Sequence, residues 1–82
     1  MTTPLQIEVD TELSVGYVTF ARGEVARTVA LSDCLNIDLD ESGSVLGLEL
    51  LSLSATLPQQ RLIDEFHLDE AFITKLGSGF FG

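Results

Sequence analysis

The sequence predicts an α+β fold: a small antiparallel β-meander of four or five strands with one or two C-terminal helices packed on one face. Three observations predict it. Apolar and polar residues alternate with period two through the first two-thirds of the chain, the pattern of strands with one buried face. The connections between these runs are short and polar, too short for parallel crossovers. At Pro58 the spacing of apolar residues changes to that of a helix. The chain has 82 residues, enough for one modest core and hence one domain. Residues 1–55 form its sheet region, 56–77 its helical region and 78–82 an apolar tail.

In the first strand Leu5, Ile7 and Val9 alternate with Gln6, Glu8 and Asp10. A polar turn at Asp10-Thr11-Glu12 leads to Gly16-Tyr17-Val18-Thr19-Phe20, rich in strand-forming residues. Arg22-Gly23-Glu24 reads as the next turn, and Val25 to Leu31 as a third strand with Val29 and Leu31 on one face. Ser32-Asp33 punctuates again. Leu35, Ile37 and Leu39 then alternate with Asn36, Asp38 and Asp40, and Glu41-Ser42-Gly43-Ser44 turns the chain. The run from Val45 to Leu53 places Leu46, Leu48 and Leu50 on one face and Gly47 and Glu49 on the other. Beyond it, Thr56 or Leu57 suits an N-cap with Pro58 in the first helical position. Leu62, Ile63 and Phe66 make a helical stripe. Asp69 and Glu70 suit the start of a second segment with Phe72, Ile73 and Leu76 as its apolar face, Lys75 near its end and Gly77 as a left-handed stop. The spacing leaves open whether one helix continues through His67-Leu68.

Composition excludes several classes. Thirteen acidic against four basic residues give a formal charge of −9, and the predicted isoelectric point is about 4.1. No basic cluster is present to neutralise phosphates, which argues against direct nucleic-acid binding and against an anionic membrane surface. A hydrophobic share of 45% is too high for a disordered acidic tail. No apolar run approaches the length of a membrane span, and Met1 to Gln6 lacks the features of a secretory signal. A single cysteine, Cys34, permits no intramolecular disulfide. A reducing, cytoplasmic location is the expectation.

The most specific local pattern is Asp38-Leu39-Asp40-Glu41-Ser42-Gly43-Ser44-Val45-Leu46-Gly47-Leu48-Glu49. It has the ligand spacing of a calcium-binding loop, with oxygen donors at positions one, three and five, glycine at six and glutamate at twelve. Both flanks alternate as strands, whereas that loop needs a helix on each side. The stretch therefore reads as a hairpin in which Asp38 and Asp40 share a face and Glu49 lies near them across the ladder. A weak divalent-cation site built on Asp38, Asp40, Ser42 and Glu49 is the alternative. Cys34 and His67 are the only nucleophile and base available to a hydrolase, with Asp33 or Asp64 to orient the imidazole, and no local signature supports that arrangement. One cysteine and one histidine do not fill a structural zinc site, and Gly77-Ser78-Gly79 lacks the context of a phosphate loop. No cofactor is expected. Phe80 and Phe81 are apolar enough to fold back on the sheet or to dock on a partner. A small sheet also leaves two edges to be covered, so a homodimer is expected.

The stretches Tyr17-Val18-Thr19-Phe20, Gly23, Val25-Ala26-Arg27-Thr28-Val29, Asn36-Ile37-Asp38-Leu39-Asp40-Glu41-Ser42-Gly43 and Leu46-Gly47-Leu48-Glu49-Leu50-Leu51 resemble a small prokaryotic family, domain of unknown function 2283. The resemblance covers roughly residues 9–53 and is most specific at the acidic glycine turn and the Gly-x-Glu strand after it. Cys34 stands where the family pattern has a glycine. The resemblance implies a β-rich fold without an established activity. It also implies an antitoxin-like role beside a small basic protein, since such domains are often encoded next to one. Gly43 has a structural reason in the turn, and Gly47 has one as a small residue beside something bulky on the exposed face.

The expected function is a non-enzymatic, acidic, dimeric module that binds another protein. Asp38, Asp40 and Glu49 would supply charge, and Phe80, Phe81 or a sheet edge apolar anchoring. The alternatives are the weak cation site and, less favoured, the Cys34 hydrolase.

Overall fold

The five alternating runs form five strands in the computed structural model, which describes residues 3–53 and 56–77. The strands are β1 (Gln6–Asp10), β2 (Val15–Thr19), β3 (Arg27–Ser32), β4 (Leu35–Leu39) and β5 (Val45–Leu50), followed by helices α1 (Gln59–Asp64) and α2 (Glu70–Gly77). Every pairing is antiparallel, in the order β1-β2-β5-β4-β3. Consecutive strands make three of these neighbours. The fourth sets β2 beside β5, because residues 20–26 carry the chain across to the far edge. That crossing is tied down by the backbone N–H groups of Phe20 and Ala21, which donate to the Leu46 carbonyl at 2.8 and 3.3 Å.

One face of the sheet is the core face. Ile7, Val18, Leu48, Ile37 and Val29 stand opposite one another in a single row from β1 to β3. Val18, Leu48 and Ile37 are wholly buried, and so are Leu62, Leu68 and Ile73 of the helical third, in the same cluster. Phe20 meets Phe72 edge-on at 6.0 Å between ring centres, a favoured aromatic geometry. Leu46 departs from its expected place beside Leu48 and Leu50. A register shift between Asp38 and Leu39 brings Val45 into the core cluster instead, and Leu46 is buried where a Cβ on Gly23 would lie 3.1 Å from it.

The helical third departs from expectation at Pro58 and answers the question the spacing left open at His67. Pro58 is the N-cap of α1 rather than its first residue, since its ψ of 70° is not helical. The helix does not continue through His67, which adopts φ of 56° and so ends the right-handed path. Leu68 then donates its N–H to the Leu62 carbonyl, and α2 starts with its Phe72 N–H capped by the Asp69 carboxylate at 3.0 Å. Gly77 is the last residue of α2. Among the described residues no helix is long and apolar enough to cross a membrane. Phe80 and Phe81 lie outside the described residues.

The helices do not cover β1. Its apolar residues lie on the core face, yet Leu5 is 63%, Val9 40% and Ile7 36% exposed.

Candidate functional site

The opposite face of the sheet is open and polar. One cross-strand row runs Glu8, Tyr17, Glu49, Asn36, Ala30, and the next runs Gln6, Thr19, Gly47, Asp38, Thr28. Tyr17 joins the two rows. Its hydroxyl donates to Asp38 Oδ2 at 2.6 Å, although Tyr17 stands on β2 and Asp38 on β4, with β5 between them. The ring can make that reach because Gly47 has no side chain: a Cβ there would land on the Tyr17 hydroxyl and ring carbons. This is the bulky neighbour that the small residue at position 47 predicts. Thr28 completes the arrangement by donating to the other Asp38 oxygen at 2.5 Å. Asp38 therefore spends its carboxylate on two hydroxyls of its own chain.

Burial of the phenol, then the hydrogen bond to Asp38 and the charges of Asp38 and Glu49, push the Tyr17 pKa well above its ordinary value. The sign of the consequence is definite. A pKa raised by folding contributes stability that is complete below the unfolded value near 10 and is lost as pH climbs toward the folded value. Wild-type stability is therefore expected to fall above about pH 10 by more than that of Tyr17→Phe. The chain has one tyrosine and no tryptophan, so phenolate absorbance reports this group alone. An ordinary phenol titration would contradict the geometry.

The other acids divide into turn-builders and face residues. Asp40 has left the strand and caps the β4–β5 turn, its Oδ1 accepting from the Ser42 N–H, the Ser42 hydroxyl and the Ser44 N–H at 2.8–3.0 Å. The Ser42 hydroxyl first, and then the Ser44 N–H, hold its carboxyl below the usual carboxylate range. Gly43 supplies the left-handed residue of this turn, with φ of 86°. Asp10 caps the β1–β2 turn through the N–H groups of Glu12 and Leu13. On the face itself, Glu49 accepts from the Asn36 amide at 3.0 Å and Glu8 from the Gln6 amide at 2.9 Å.

Asp38, Asp40, Ser42 and Glu49 thus do not converge. The calcium-type spacing is realised as a hairpin, with Asp38 turned toward Tyr17, Glu49 diagonal to it, and Asp40 and Ser42 consumed by the turn. Among the described residues no three histidine, cysteine or carboxylate groups meet closely enough to hold a metal ion. Cys34 sits half-buried in the β3–β4 connection, where its N–H donates to the Ser32 hydroxyl. His67 is exposed between the helices, and no hydrogen bond links the two.

Instead, a groove of about 300 Å³ opens on the polar face, lined among others by Glu8, Asp10, Val15, Tyr17 and Glu49. Three carboxylates surround one aromatic ring there. Arg22, Arg27, Arg61 and Lys75, the four basic residues of the chain, all lie off β1, β2 and β5. Arg61 is paired with Glu65 on α1 at 2.7 Å. Glu8, Asp10 and Tyr17 were not singled out from the sequence. Their signal was the alternation itself, which places Glu8 and Tyr17 on the polar sides of adjoining strands, but only the register makes them neighbours.

The chain matches the family described as "Protein of unknown function (DUF2283)" over residues 6–54. No curated protein and no solved structure matches it.

Proposed function

The chain belongs to the DUF2283 family over a stretch that includes all five strands, and we propose that it is a cytoplasmic, non-catalytic module whose open acidic face binds a basic segment of another protein. The observation that carries this reading is the groove at Tyr17. Glu8, Asp10 and Glu49 line it, and β1, β2 and β5 hold no cation. Carboxylates held only by neutral amide and N–H donors favour a guanidinium or ammonium brought from outside, and an aromatic face adds cation–π attraction. An antitoxin-like pairing with a small basic protein is one form this binding takes. Asp38 and Asp40 serve the fold rather than the partner, so the binding acids are Glu8 and Glu49.

The test is titration of the protein with an arginine-rich peptide, read by the fluorescence of Tyr17. The expected complex weakens as NaCl rises, because exposed charges are screened. In the double variant Glu8→Lys/Glu49→Lys, affinity drops at least tenfold while the melting temperature stays near that of the parent, since both side chains are exposed. A complex that the double variant binds equally well would refute this assignment.

A further inference from the structure

We propose that β1 is a self-pairing edge, through which two copies of the chain join antiparallel, centred on Ile7, into one continuous sheet.

The two edges of the sheet are built differently. On β3 a register shift interrupts the pairing between Ala30 and Ser32, Arg27 stands at the start of the strand, and Val29 and Leu31 are packed against the core. Bulges, basic residues and cover of this kind blunt an edge against further pairing. None of them occurs on β1. It pairs with β2 through five consecutive in-register partners. It holds no Lys, Arg or Pro, and all five of its residues are exposed. Its apolar residues extend the core face beyond the cover of the helices. A regular edge of this kind is a template for another strand.

The residues of β1 select a second copy of β1 as that strand. In Leu5-Gln6-Ile7-Glu8-Val9 the order of apolar and polar positions is the same read in either direction. Antiparallel pairing about Ile7 sets Ile7 opposite Ile7 of the second copy, Leu5 opposite Val9, and Gln6 opposite Glu8. Each carboxylate then faces an amide donor, and Gln6 Nε2 already donates to Glu8 Oε1 within one chain at 2.9 Å. The register centred on Glu8 and those slipped by one residue are disfavoured. Centring on Glu8 puts two carboxylates directly opposite each other, which is destabilising. A slip by one residue turns the apolar faces of the two copies to opposite sides of the sheet. The Ile7-centred pairing keeps both apolar faces, and both acidic faces, on common sides.

Each copy carries a charge of −9, so the dimer forms against repulsion and tightens as salt screens it. A basic partner would show the opposite salt dependence. The experiment is sedimentation velocity over a range of protein and NaCl concentrations, on the wild type and on Gln6→Glu and Gln6→Lys. Gln6 is exposed on the polar face, and circular dichroism confirms that the variants fold. We expect a reversible monomer–dimer equilibrium whose dissociation constant falls with added NaCl. Gln6→Glu sets carboxylates opposite each other at two symmetric positions and raises that constant about tenfold, and Gln6→Lys lowers it several-fold. A chain that remains monomeric at every concentration and salt overturns the proposal. So does a dimer whose dissociation constant is indifferent to both substitutions.

Discussion

Alanine in place of Gly47 is expected to destabilise the fold by about 3 kcal/mol, and most of that cost is expected to vanish when Tyr17 is also alanine. The effect is large for one methyl group because of where the methyl lands. Gly47 lies on β5 under the Tyr17 ring, and its Cβ would occupy the space of the hydroxyl and ring carbons. The ring would have to swing off the sheet, breaking its 2.6 Å bond to Asp38. Asp38 would keep Thr28 and turn its free oxygen to water. Without the ring, the same alanine no longer meets the atoms nearest to it and relieves the entropy cost of a glycine in a strand, worth about 0.5–1 kcal/mol. Urea unfolding of the four proteins in this cycle gives the coupling directly, expected at about 2–3 kcal/mol. Equal costs of Gly47→Ala in both backgrounds would show that Tyr17 does not rest on Gly47 in solution.

Position 47 also marks how far the sequence could be read. A glycine inside an alternating strand announces that something approaches closely, and that much was legible. The identity of the neighbour was not, because Tyr17 is thirty residues away and reaches Gly47 only through the β2–β5 pairing. Alternation sets which face each side chain takes but is silent on which strands adjoin, so the β2–β5 contact stayed hidden along with the groove built on it. The alternation misled about Asp40 for a related reason. Asp38 and Asp40 share a face only while the strand continues, and β4 ends at Leu39. One residue later the carboxylate meets the N–H groups of a tight turn, a stronger local claim than the open face has. Leu46 failed for the same kind of reason, since a register shift in the neighbouring pair reverses the parity of every position beyond it. The bare flank of β1 was likewise invisible, because covering it depends on how far two short helices extend across a five-stranded sheet.

Those helices explain why Leu68→Ala is expected to be the most damaging truncation in the helical third. α1 has six residues and α2 eight, both well below the length at which a helix persists alone in water. They exist through what they bury. The left-handed turn at His67 sends Leu68 inward between them, and Leu68 is wholly buried in the cluster that holds Leu62, Ile73 and the central sheet row. Truncating a buried leucine costs about 3 kcal/mol, the lost transfer energy plus the cavity left behind. For a chain of 82 residues the whole stability is only about 4–12 kcal/mol, so the melting temperature should fall by about 12–24 °C. Leu13→Ala, at a leucine 71% exposed, should cost under about 0.5 kcal/mol. Hydrogen exchange separates the local from the global share of this loss. In Leu68→Ala the amides of α1 and α2 should exchange faster than those of β4 and β5, because the central strands keep their ladder while the helices lose the side chain that holds both to it. Equal acceleration in all four elements would mean that helices and sheet unfold as one unit, and that the sheet does not stand without its cover.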